Sequence, residues 1–364
     1  MTAPRLRALP PIDRGIVPGV ERIAVLRASA LGDFIFALPA LDALRAAYPS
    51  AEIVLLARDW HRDFLAGRRS PVDRVIPLSR GSFPGDSPTP AGGRRAFATI
   101  AAEGFDLALQ LHGGGRHSNP VVAGLGARVT AGSRSPDAAP LDRTIAYEFF
   151  QHEVLRGLEV VSLVGATPVG LLPILASRPA DRAEARAQLD DLVDLEGPAP
   201  IAVLHPGASD ERRQWPPERF AAVGDRLADA GAVVAVTGMA AEADVVRGVA
   251  GRMTKPAADL AGRLNLGALA GLLERASVVV SNDTGPLHLA AALGRPTVGI
   301  FWCGNVISAG PLARDANRVA IGWRLECPVC GVDCMKGVCA HRASFVADVR
   351  VDEVADPALE LLHA

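Results

Sequence analysis

Short, continuous apolar runs alternate along the chain with longer segments in which apolar residues recur at helical spacing. Runs of this kind are typical of strands that are buried on both faces of a parallel sheet. The runs that we predict as strands are 22–26, 52–56, 74–77, 105–111, 200–205, 232–237, 276–281 and 296–301. The helical patterns include 37–48, 141–164, 217–230 and 240–250. The alternation predicts an α/β protein with parallel sheets and right-handed crossover connections.

The length of the chain predicts more than one domain, because 364 residues exceed what one hydrophobic core typically organises. A charged, alanine-rich segment with a helical pattern, 181–194, leads into a Glu-Gly-Pro turn at 196–198, after which a new strand begins. We therefore expect two Rossmann-like domains, 1–195 and 196–345, followed by a closing helix within 346–364.

The composition is that of a soluble globular protein, with 49% hydrophobic residues, 21% charged residues and a formal net charge of −2. Because the overall charge is slightly negative, we expect no nucleic-acid partner. No apolar run approaches the ~20 residues that a membrane-spanning helix needs. The first nineteen residues contain proline and arginine where a secretion signal would be apolar. We therefore predict a cytoplasmic location.

The most informative segment follows the strand predicted at 276–281 and includes Asp283, Thr284, Gly285, Pro286 and His288. A proline near the first helical position, preceded by a small polar residue, indicates the start of a helix. A strand that turns tightly into a helix forms an anion site, because backbone N–H groups and the helix dipole point at one spot. An ordinary strand–helix turn would carry a similar local pattern, so the assignment depends on the rest of the chain.

A second candidate, Asp33, stands at the carboxyl end of the first predicted strand, where open α/β sheets bind ligands. A dinucleotide fingerprint needs three glycines at this turn and only Gly32 is present, and the chain contains no Walker A pattern, so a dehydrogenase is not expected. Capping of the following helix is the competing explanation for Asp33, and the spacing alone favours it.

Two further loops follow predicted strands. In the loop at 205–216, a glycine turn with Ser209 precedes two arginines, of which Arg213 can hold phosphate through paired hydrogen bonds; a solvated charged loop is an equal alternative. After the next strand, Gly238 is followed by Glu242 on the opening turn of a helix. The Glu242 carboxylate can hold a ribose diol, or it can simply complement the helix dipole.

Together, and in this order, these segments resemble glycosyltransferase family 9, whose best-known members are the lipopolysaccharide heptosyltransferases. The segments that carry the resemblance include RASALGD at 27–33, HPGASDERRQW at 205–215, TGMAAE at 237–242 and SNDTGPLH at 281–288. The resemblance implies a GT-B fold, in which two Rossmann-like domains face each other across a cleft. It also implies that the N-terminal half takes the acceptor and the C-terminal half takes the nucleotide sugar.

The resemblance further implies roles for single residues. Asp33 corresponds to the general base of the family. Arg213 stands where many members have lysine, and Glu242 corresponds to a ribose contact. The donor-binding residues that follow from the resemblance are Ser209, Arg213, Glu242, Asp283, Thr284, Gly285 and His288.

The reaction implied is an inverting transfer of a heptose from ADP-heptose to a lipopolysaccharide-core acceptor. Asp33 would accept the proton of the attacking hydroxyl. The chain contains no Asp-x-Asp pair to hold a divalent ion, so Arg213 and a helix N-terminus would stabilise the departing diphosphate, and we expect no cofactor for catalysis. A protein (adhesin) acceptor and a catalytically silent nucleotide-sugar-binding protein remain the alternatives.

The acceptor half carries a local excess of positive charge. Between residues 58 and 95, eight arginines stand against four aspartates. This balance suits an anionic glycolipid acceptor and allows peripheral contact with the cytoplasmic membrane face, although a solvated surface explains most such charges. Arg116 and His117, in the glycine-rich segment 112–120, are candidate acceptor contacts, and a tight turn is an equal alternative there.

Four of the five cysteines lie within 13 residues of one another, and His341 follows closely. Four thiols at this density in a cytoplasmic chain favour a tetrahedral structural site for Zn or Fe, with free thiols or disulfides as alternatives. The predicted metal ligands are Cys327, Cys330, Cys334 and Cys339. The remaining cysteine, Cys303, stands on an apolar run, so we expect it to be a small buried residue on a strand.

Overall fold

The structure is a computed structural model, and it describes residues 15–78, 91–190 and 199–363. The domain boundary predicted at 195–196 and the first fourteen residues lie outside the described part of the chain. Within the described part, the strands form two sheets of six, and every pairing within them is parallel.

The first sheet has the order β3-β2-β1-β4-β5-β6, and the second has the order β12-β11-β10-β7-β8-β9. The strands of the first sheet are β1 (Arg22–Leu26), β2 (Glu52–Ala57), β3 (Arg74–Pro77), β4 (Leu107–Gln110), β5 (Val129–Arg134) and β6 (Arg143–Ala146). The strands of the second sheet are β7 (Ile201–His205), β8 (Val233–Gly238), β9 (Ala257–Ala261), β10 (Val278–Asn282), β11 (Thr297–Trp302) and β12 (Asn317–Gly322).

Helices cover both sheets. They are α1 (Leu31–Ala47), α2 (Asp59–Leu65), α3 (Ala91–Ala101), α4 (Ser118–Ala123), α5 (Glu153–Ser162), α6 (Pro179–Asp190), α7 (Pro217–Asp229), α8 (Ala243–Ala250), α9 (Leu266–Arg275), α10 (Gly285–Ala292), α11 (Cys303–Ala309) and α12 (Val351–Leu362). None of these helices combines the length and the apolar character needed to cross a bilayer, as far as the described residues go.

The central strand β1 explains why its sequence is continuously apolar. Ile23 and Val25 pack into one core on one face of the sheet, while Ala24 and Leu26 pack into a second core on the other face. All four side chains are at most 1% exposed. Because alternate residues of a strand point to opposite faces, a strand covered on both sides needs apolar residues at every position.

The predicted α/β class and all eight predicted strands are confirmed, with shifts of one or two residues at their ends. Four strands were missed: β5, β6, β9 and β12. Three of these are the edge strands β6, β9 and β12, whose side chains are in large part only half-buried. An edge strand does not need a continuous apolar run, so the pattern that identified the central strands does not detect it.

The single helix predicted over 141–164 is wrong. Its first part forms β6, which pairs with β5, and only Glu153–Ser162 is helical. The side chain of His152 ends the intervening turn, because its Nδ1 accepts a hydrogen bond of 3.2 Å from the backbone N–H of Val154 and so caps α5.

Helices and side chains beside the two sheets contact each other and hold the two halves of the chain together. Helix α6 packs along α9, which connects β9 and β10 of the second sheet. Asp181, near the start of α6, forms a buried ion pair of 2.6 Å with Arg68, which follows α2 beside the first sheet. The last helix, α12, packs against α7 and the strands β10 and β11.

Candidate active site

The carboxyl ends of the two sheets border one cleft with a volume of about 800 Å³. This volume is within the range of small-molecule sites, and strand carboxyl ends are where open α/β sheets bind ligands. All eight residues predicted to act in catalysis or donor binding line the cleft: Asp33, Ser209, Arg213, Glu242, Asp283, Thr284, Gly285 and His288.

The first turns of α1 and α10 touch at the base of the cleft. A Cβ atom on Gly32 would lie 2.9 Å from Cδ2 of His288, and a Cβ atom on Gly285 would lie 2.9 Å from Cβ of Leu31. Only glycine therefore permits this approach. Neither helix has a side-chain N-cap, so backbone N–H groups and the positive ends of two helix dipoles converge from both halves of the molecule.

Asp33 occupies the first turn of α1, and the N-cap of that helix is Ala30. The capping explanation for Asp33 is therefore wrong. Its side chain is 43% exposed, with Oδ1 located 3.3 Å from Nη2 of Arg27. Among the residues that the structure describes, Oδ2 has no hydrogen-bond partner. This carboxylate can thus accept a proton from a ligand in the cleft.

Arg27 and Glu153 were not predicted as site residues. Arg27 directly follows β1 and is 5% exposed, and Glu153, at the start of α5, lines the cleft. Nη2 of Arg27 lies 3.3 Å from Oε2 of Glu153, so the buried guanidinium stands between two carboxylates. The only signal in the sequence is an arginine placed directly after a buried strand.

On the opposite wall, the Asp283 carboxylate holds a cluster of donors. Oδ1 lies 3.1 Å from Nε2 of His288, while Oδ2 accepts from Nδ2 of Asn305 at 2.9 Å and lies 3.3 Å from Nη1 of Arg213. Burial by itself would raise the pKa of Asp283, but the hydrogen bond from His288, followed by Asn305 and Arg213, keeps it below its ordinary value. Asn305 is a further residue that the sequence did not identify.

The loop that carries Arg213 is anchored to the second sheet by Asn282. This buried side chain accepts from the backbone N–H of Trp215 at 3.1 Å and donates to the Pro206 carbonyl at 2.8 Å. Trp215 is fully buried and donates through Nε1 to the Val349 carbonyl at 2.9 Å. Arg213 itself donates to Oγ of Ser209 at 3.1 Å, so both predicted residues share one loop wall.

Glu242 lies at the end of a short helical turn after β8. Its Oε2 accepts a hydrogen bond of 2.8 Å from the backbone N–H of Met239. This bond agrees with the alternative that Glu242 stabilises the start of a helix. The same carboxylate also lines the cleft, where a Cβ atom on Gly207 would overlap its Oε1. Glycine at 207 therefore leaves room for this carboxylate beside the loop.

Next to Glu242 the cleft wall is apolar, which the sequence did not predict. The apolar side chains there are Met239, Leu260, Leu264, Leu266 and Leu269. Met239 is 67% exposed although it is a large hydrophobic residue. A wall of this kind beside a carboxylate can accept the flat face of a nucleobase.

Arg116 and His117 do not line this cleft, and both are exposed. Nε of Arg116 lies 3.5 Å from Oδ2 of Asp137. Their loop is fixed at its base by Gln110, whose Nε2 donates to the carbonyls of His112 and Gly113 at 3.0 and 2.9 Å. Their role at the acceptor stays a prediction.

The local excess of arginine is smaller at the surface than the sequence suggests. Arg68 is buried against Asp181, and Arg74 forms ion pairs with Glu52 and Glu103. Arg80 and Asp86 lie outside the described residues. These pairings use acids that lie outside the window counted in the sequence, so the count overestimated the free positive charge.

The cysteine segment gathers a different ligand set from the one predicted. Potential ligand atoms of Cys327, Cys330, Cys339 and His341 all lie within 4.8 Å of one another, and Cys334 is not part of this group. Sγ of Cys334 points to the Val332 carbonyl instead, at 3.4 Å. The chain reverses after Cys330 through a glycine with φ of +71°, which spacing alone does not reveal.

The thiols of this group differ in chemistry. A hydrogen bond from the backbone N–H of Val329 is the main reason why the pKa of Cys327 is lowered to about 6. Hydrogen bonds from the Cys330 N–H and from neighbouring thiols lower it further, and burial opposes them. A thiolate is the form that ligates metal. The prediction for Cys303 is wrong, since it is the half-buried first residue of α11 rather than a buried strand residue.

Comparison with known proteins identifies the family of the chain. The sequence profile of "Glycosyltransferase family 9 (heptosyltransferase)" matches residues 94–331. The chain therefore belongs to glycosyltransferase family 9 and is a glycosyltransferase. It is 26% identical over 313 residues to lipooligosaccharide heptosyltransferase 2 of Haemophilus influenzae, a match that covers 82% of this chain and 88% of the relative.

Solved structures confirm the GT-B fold. A family 9 glycosyltransferase from Veillonella parvula superposes with a TM-score of 0.76 at 20% identity, covering 94% of this chain and 97% of that one. ADP-heptose lipopolysaccharide heptosyltransferase II of Escherichia coli gives 0.73 at 21% identity, with coverage of 94% and 98%. A dodecameric iron-containing heptosyltransferase gives 0.51 at 13% identity, with coverage of 96% and 78%.

Proposed function

We propose that this chain transfers a heptose from ADP-heptose to a lipopolysaccharide-core acceptor, with inversion at the anomeric carbon and without a catalytic metal ion. One observation carries the proposal: Asp33 from the first half of the chain and Arg213 with the α10 N-terminus from the second half line the same cleft. The names of the relatives, which are lipopolysaccharide and lipooligosaccharide heptosyltransferases, support the choice of sugar and acceptor.

The second half provides a position for each part of the donor. The apolar wall that includes Met239 and Leu264 suits the base, and the Glu242 carboxylate suits the ribose diol. Arg213 and the open N-termini of α1 and α10 suit the diphosphate, because cationic and backbone N–H donors stabilise phosphate oxygens. The sugar would then lie between His288 and Asp33.

The chemistry follows from that arrangement. A hydroxyl oxygen of the acceptor forms a bond to the anomeric carbon while the bond from that carbon to the diphosphate oxygen breaks. The diphosphate leaves with the bonding electron pair, and the hydroxyl proton passes to Oδ2 of Asp33. Attack from the face opposite the diphosphate inverts the anomeric centre. Arg213 and the helix N-termini meet the charge that develops on the leaving group, so this step needs no divalent ion.

Two measurements test the proposal. We expect calorimetry with a panel of nucleoside diphosphates to select ADP, and we expect Asp33→Ala to abolish transfer while ADP still binds. Near-normal transfer by Asp33→Ala would remove Asp33 from its role. Transfer to a purified adhesin but not to a lipopolysaccharide-core acceptor would favour the protein-acceptor alternative, and absence of transfer to either would favour a silent binding protein.

An anionic glycolipid acceptor and peripheral membrane contact form part of the proposal, and the surface beside Glu153 supports the membrane contact. Phe149 and Phe150 are 66% and 53% exposed and form an edge-to-face pair with centroids 5.0 Å apart. Exposed aromatic side chains favour the boundary between water and lipid. We expect Phe149→Ser to reduce cosedimentation with anionic phospholipid vesicles, whereas Ile174→Ser, at a site that is 76% exposed, leaves it unchanged. Equal binding by both variants would count against this surface.

A structural metal ion at the cysteine segment is also proposed. Three thiols and one imidazole within 4.8 Å of one another fit tetrahedral coordination of Zn or Fe, and the iron in one structural neighbour supports the second metal. When bound, the ion would cross-link the segment without entering the reaction. We expect protein purified without added metal to contain one Zn or Fe per chain, and clearly lower amounts of both would contradict the site.

A further inference from the structure

Two backbone carbonyls hold the Arg27 side chain in place, in addition to its contacts with carboxylates. Its Nε donates to the Asp33 carbonyl at 2.9 Å, and its Nη1 donates to the Leu111 carbonyl. These two bonds fix the plane of the guanidinium at the carboxyl ends of β1 and β4, which are neighbouring strands. Nη2 is thereby directed toward Oδ1 of Asp33 and Oε2 of Glu153, at 3.3 Å from each.

Glu153 is in turn fixed on its other side. Its Oε1 pairs with Nη1 of Arg156, a residue that is 6% exposed. Arg156 also donates to the Glu148 carbonyl at 2.6 Å and lies 4.4 Å from the centre of the Tyr147 ring. Both oxygens of Glu153 are therefore engaged, and a line of alternating charges extends from Asp33 into the loop before α5.

We propose that Arg27 and Glu153 are positioning residues for Asp33, an inference that rests on the proposed function. Arg27 occupies Oδ1 and so leaves Oδ2 as the atom that faces the acceptor hydroxyl. Glu153 keeps the guanidinium between the two carboxylates and offsets part of its positive charge. Neither residue needs to contact the substrate for this effect.

The expected consequence of losing either residue is a misplaced base. With one oxygen no longer held, the half-exposed carboxylate of Asp33 turns and is hydrated. A displacement of about 1 Å between reacting groups can lower a rate by about 10²-fold. Binding of the donor depends on Arg213, Glu242 and the helix N-termini, so it should not change.

Steady-state kinetics of Arg27→Lys and Glu153→Gln test the proposal. Lysine keeps the charge of Arg27 but cannot bridge two carbonyls and a carboxylate, and glutamine keeps the shape of Glu153 but presents an N–H donor to one of two guanidinium groups. We expect both variants to lower kcat by about 10- to 100-fold with the donor KM and the Kd of ADP unchanged within about twofold. The matched control is Arg22→Lys, at the other end of β1, where the arginine pairs with Glu52 at 2.9 Å.

The Asp33→Ala background separates the positioning role of Arg27 from the proposed function of Asp33. If Arg27 acts only through Asp33, adding Arg27→Lys to Asp33→Ala should change neither the Kd of ADP nor any trace of transfer that Asp33→Ala retains. A further additive loss, or a donor Kd that rises with the fall in kcat, would overturn the positioning role. If Asp33→Ala is inactive while Arg27→Lys and Glu153→Gln match the wild type, only the inference fails; if Asp33→Ala stays active, the proposed function fails.

Discussion

Arg213 and Asp283, which are 70 residues apart in the chain, meet at the carboxyl edge of the second sheet with Nη1 and Oδ2 at 3.3 Å. The Asp283 side chain is 4% exposed and also faces His288 and Asn305. Because Arg213, His288 and Asn305 all direct donors at it, the carboxylate organises groups that face the cleft. The sequence resemblance implied a donor contact for Asp283, and the geometry favours an action through Arg213 and His288.

Asp283→Asn should therefore weaken donor binding although the charge removed faces protein groups. The amide nitrogen would be placed against one of the donors, and Arg213 would lose the anion that directs it. We expect the Kd of ADP to rise by at least about tenfold, which corresponds to about 1.4 kcal/mol. Calorimetric titration with ADP measures this change.

The comparison variant is Ser209→Ala, which removes only the neutral acceptor 3.1 Å from Arg213. We expect a loss of ADP affinity of less than about threefold, since a bond to an exposed hydroxyl contributes little. If Asp283→Asn bound ADP as tightly as the wild type, Asp283 would have no part in holding Arg213.

The strand–helix turns that line the cleft were predictable because each is local in sequence. Thr284 is the N-cap of α10, Gly285 permits the close approach to α1, and Pro286 stands in the first turn, so three successive positions define the start of this helix. Asp33 was found for the same reason. Arg27 was missed because its partner Glu153 is 126 residues away, and Asn305 was missed because its contact with Asp283 depends on the meeting of two strands.

The cysteine segment shows a second reason why prediction fails. Its spacing predicted a ligand cluster, and three of the four predicted cysteines do converge, but spacing does not say which side chains meet. The hydrogen bond from the Cys327 N–H to the Val332 carbonyl at 2.9 Å folds the segment back on itself. This reversal brings His341 to the group and leaves Cys334 beside it.

The stability of the protein should fall as the solution becomes acidic, and His61 provides a specific contribution. This side chain is fully buried, stacks on Trp60 at 3.6 Å and accepts a hydrogen bond from the Arg58 N–H at 3.2 Å. Burial, reinforced by nearby Arg58 and Arg27, lowers the pKa of His61 to about 3 from its ordinary 6.5. Below about pH 6.5 the unfolded chain therefore binds a proton at His61 that the folded chain does not bind. The contribution of His61 to stability is fully present above that pH and is lost progressively below it.

Urea unfolding at about pH 7 and about pH 5 measures this effect in the wild type and in His61→Asn. The asparagine oxygen can replace Nδ1 as the acceptor for Arg58 but does not titrate. We expect the difference in unfolding free energy between the two pH values to be smaller in the variant by about 2 kcal/mol. An unchanged pH dependence would show that His61 is not the group responsible.

The buried ion pair between Arg68 and Asp181 should be important for the stability of the whole molecule. Both side chains are 2% exposed, and they join the segment that follows α2, beside the first sheet, to α6, which packs on α9. Removing Asp181 leaves the buried Arg68 guanidinium without its carboxylate, and it also removes the pair that Asp181 forms with Arg178 at 2.6 Å. We expect Asp181→Ala to lower the free energy of unfolding by about 3–5 kcal/mol in urea titrations.

An exposed ion pair on α2, the helix that precedes Arg68, provides the control. Arg62 and Asp59 lie 3.7 Å apart and are 55% and 72% exposed. We expect Asp59→Ala to cost less than about 1 kcal/mol, since water screens such pairs. Similar losses in Asp59→Ala and Asp181→Ala would mean that burial does not set the strength of the inner pair.

Single cysteine substitutions distinguish the two candidate ligand sets of the cysteine segment, which are three cysteines with His341 and the four cysteines predicted from the sequence. If the ion is held by the group of three cysteines and His341, Cys339→Ser should lose bound Zn or Fe and Cys334→Ser should retain it, as measured by elemental analysis of the purified proteins. Residues directly after the segment contact the loop that carries Arg213, because the Phe345 N–H donates to the Arg212 carbonyl at 2.8 Å and Ser344 Oγ donates to the Gln214 carbonyl at 2.6 Å. We therefore expect Cys339→Ser, but not Cys334→Ser, to raise the Kd of ADP as well. Loss of metal from both variants would restore the four-cysteine set that the sequence alone predicts.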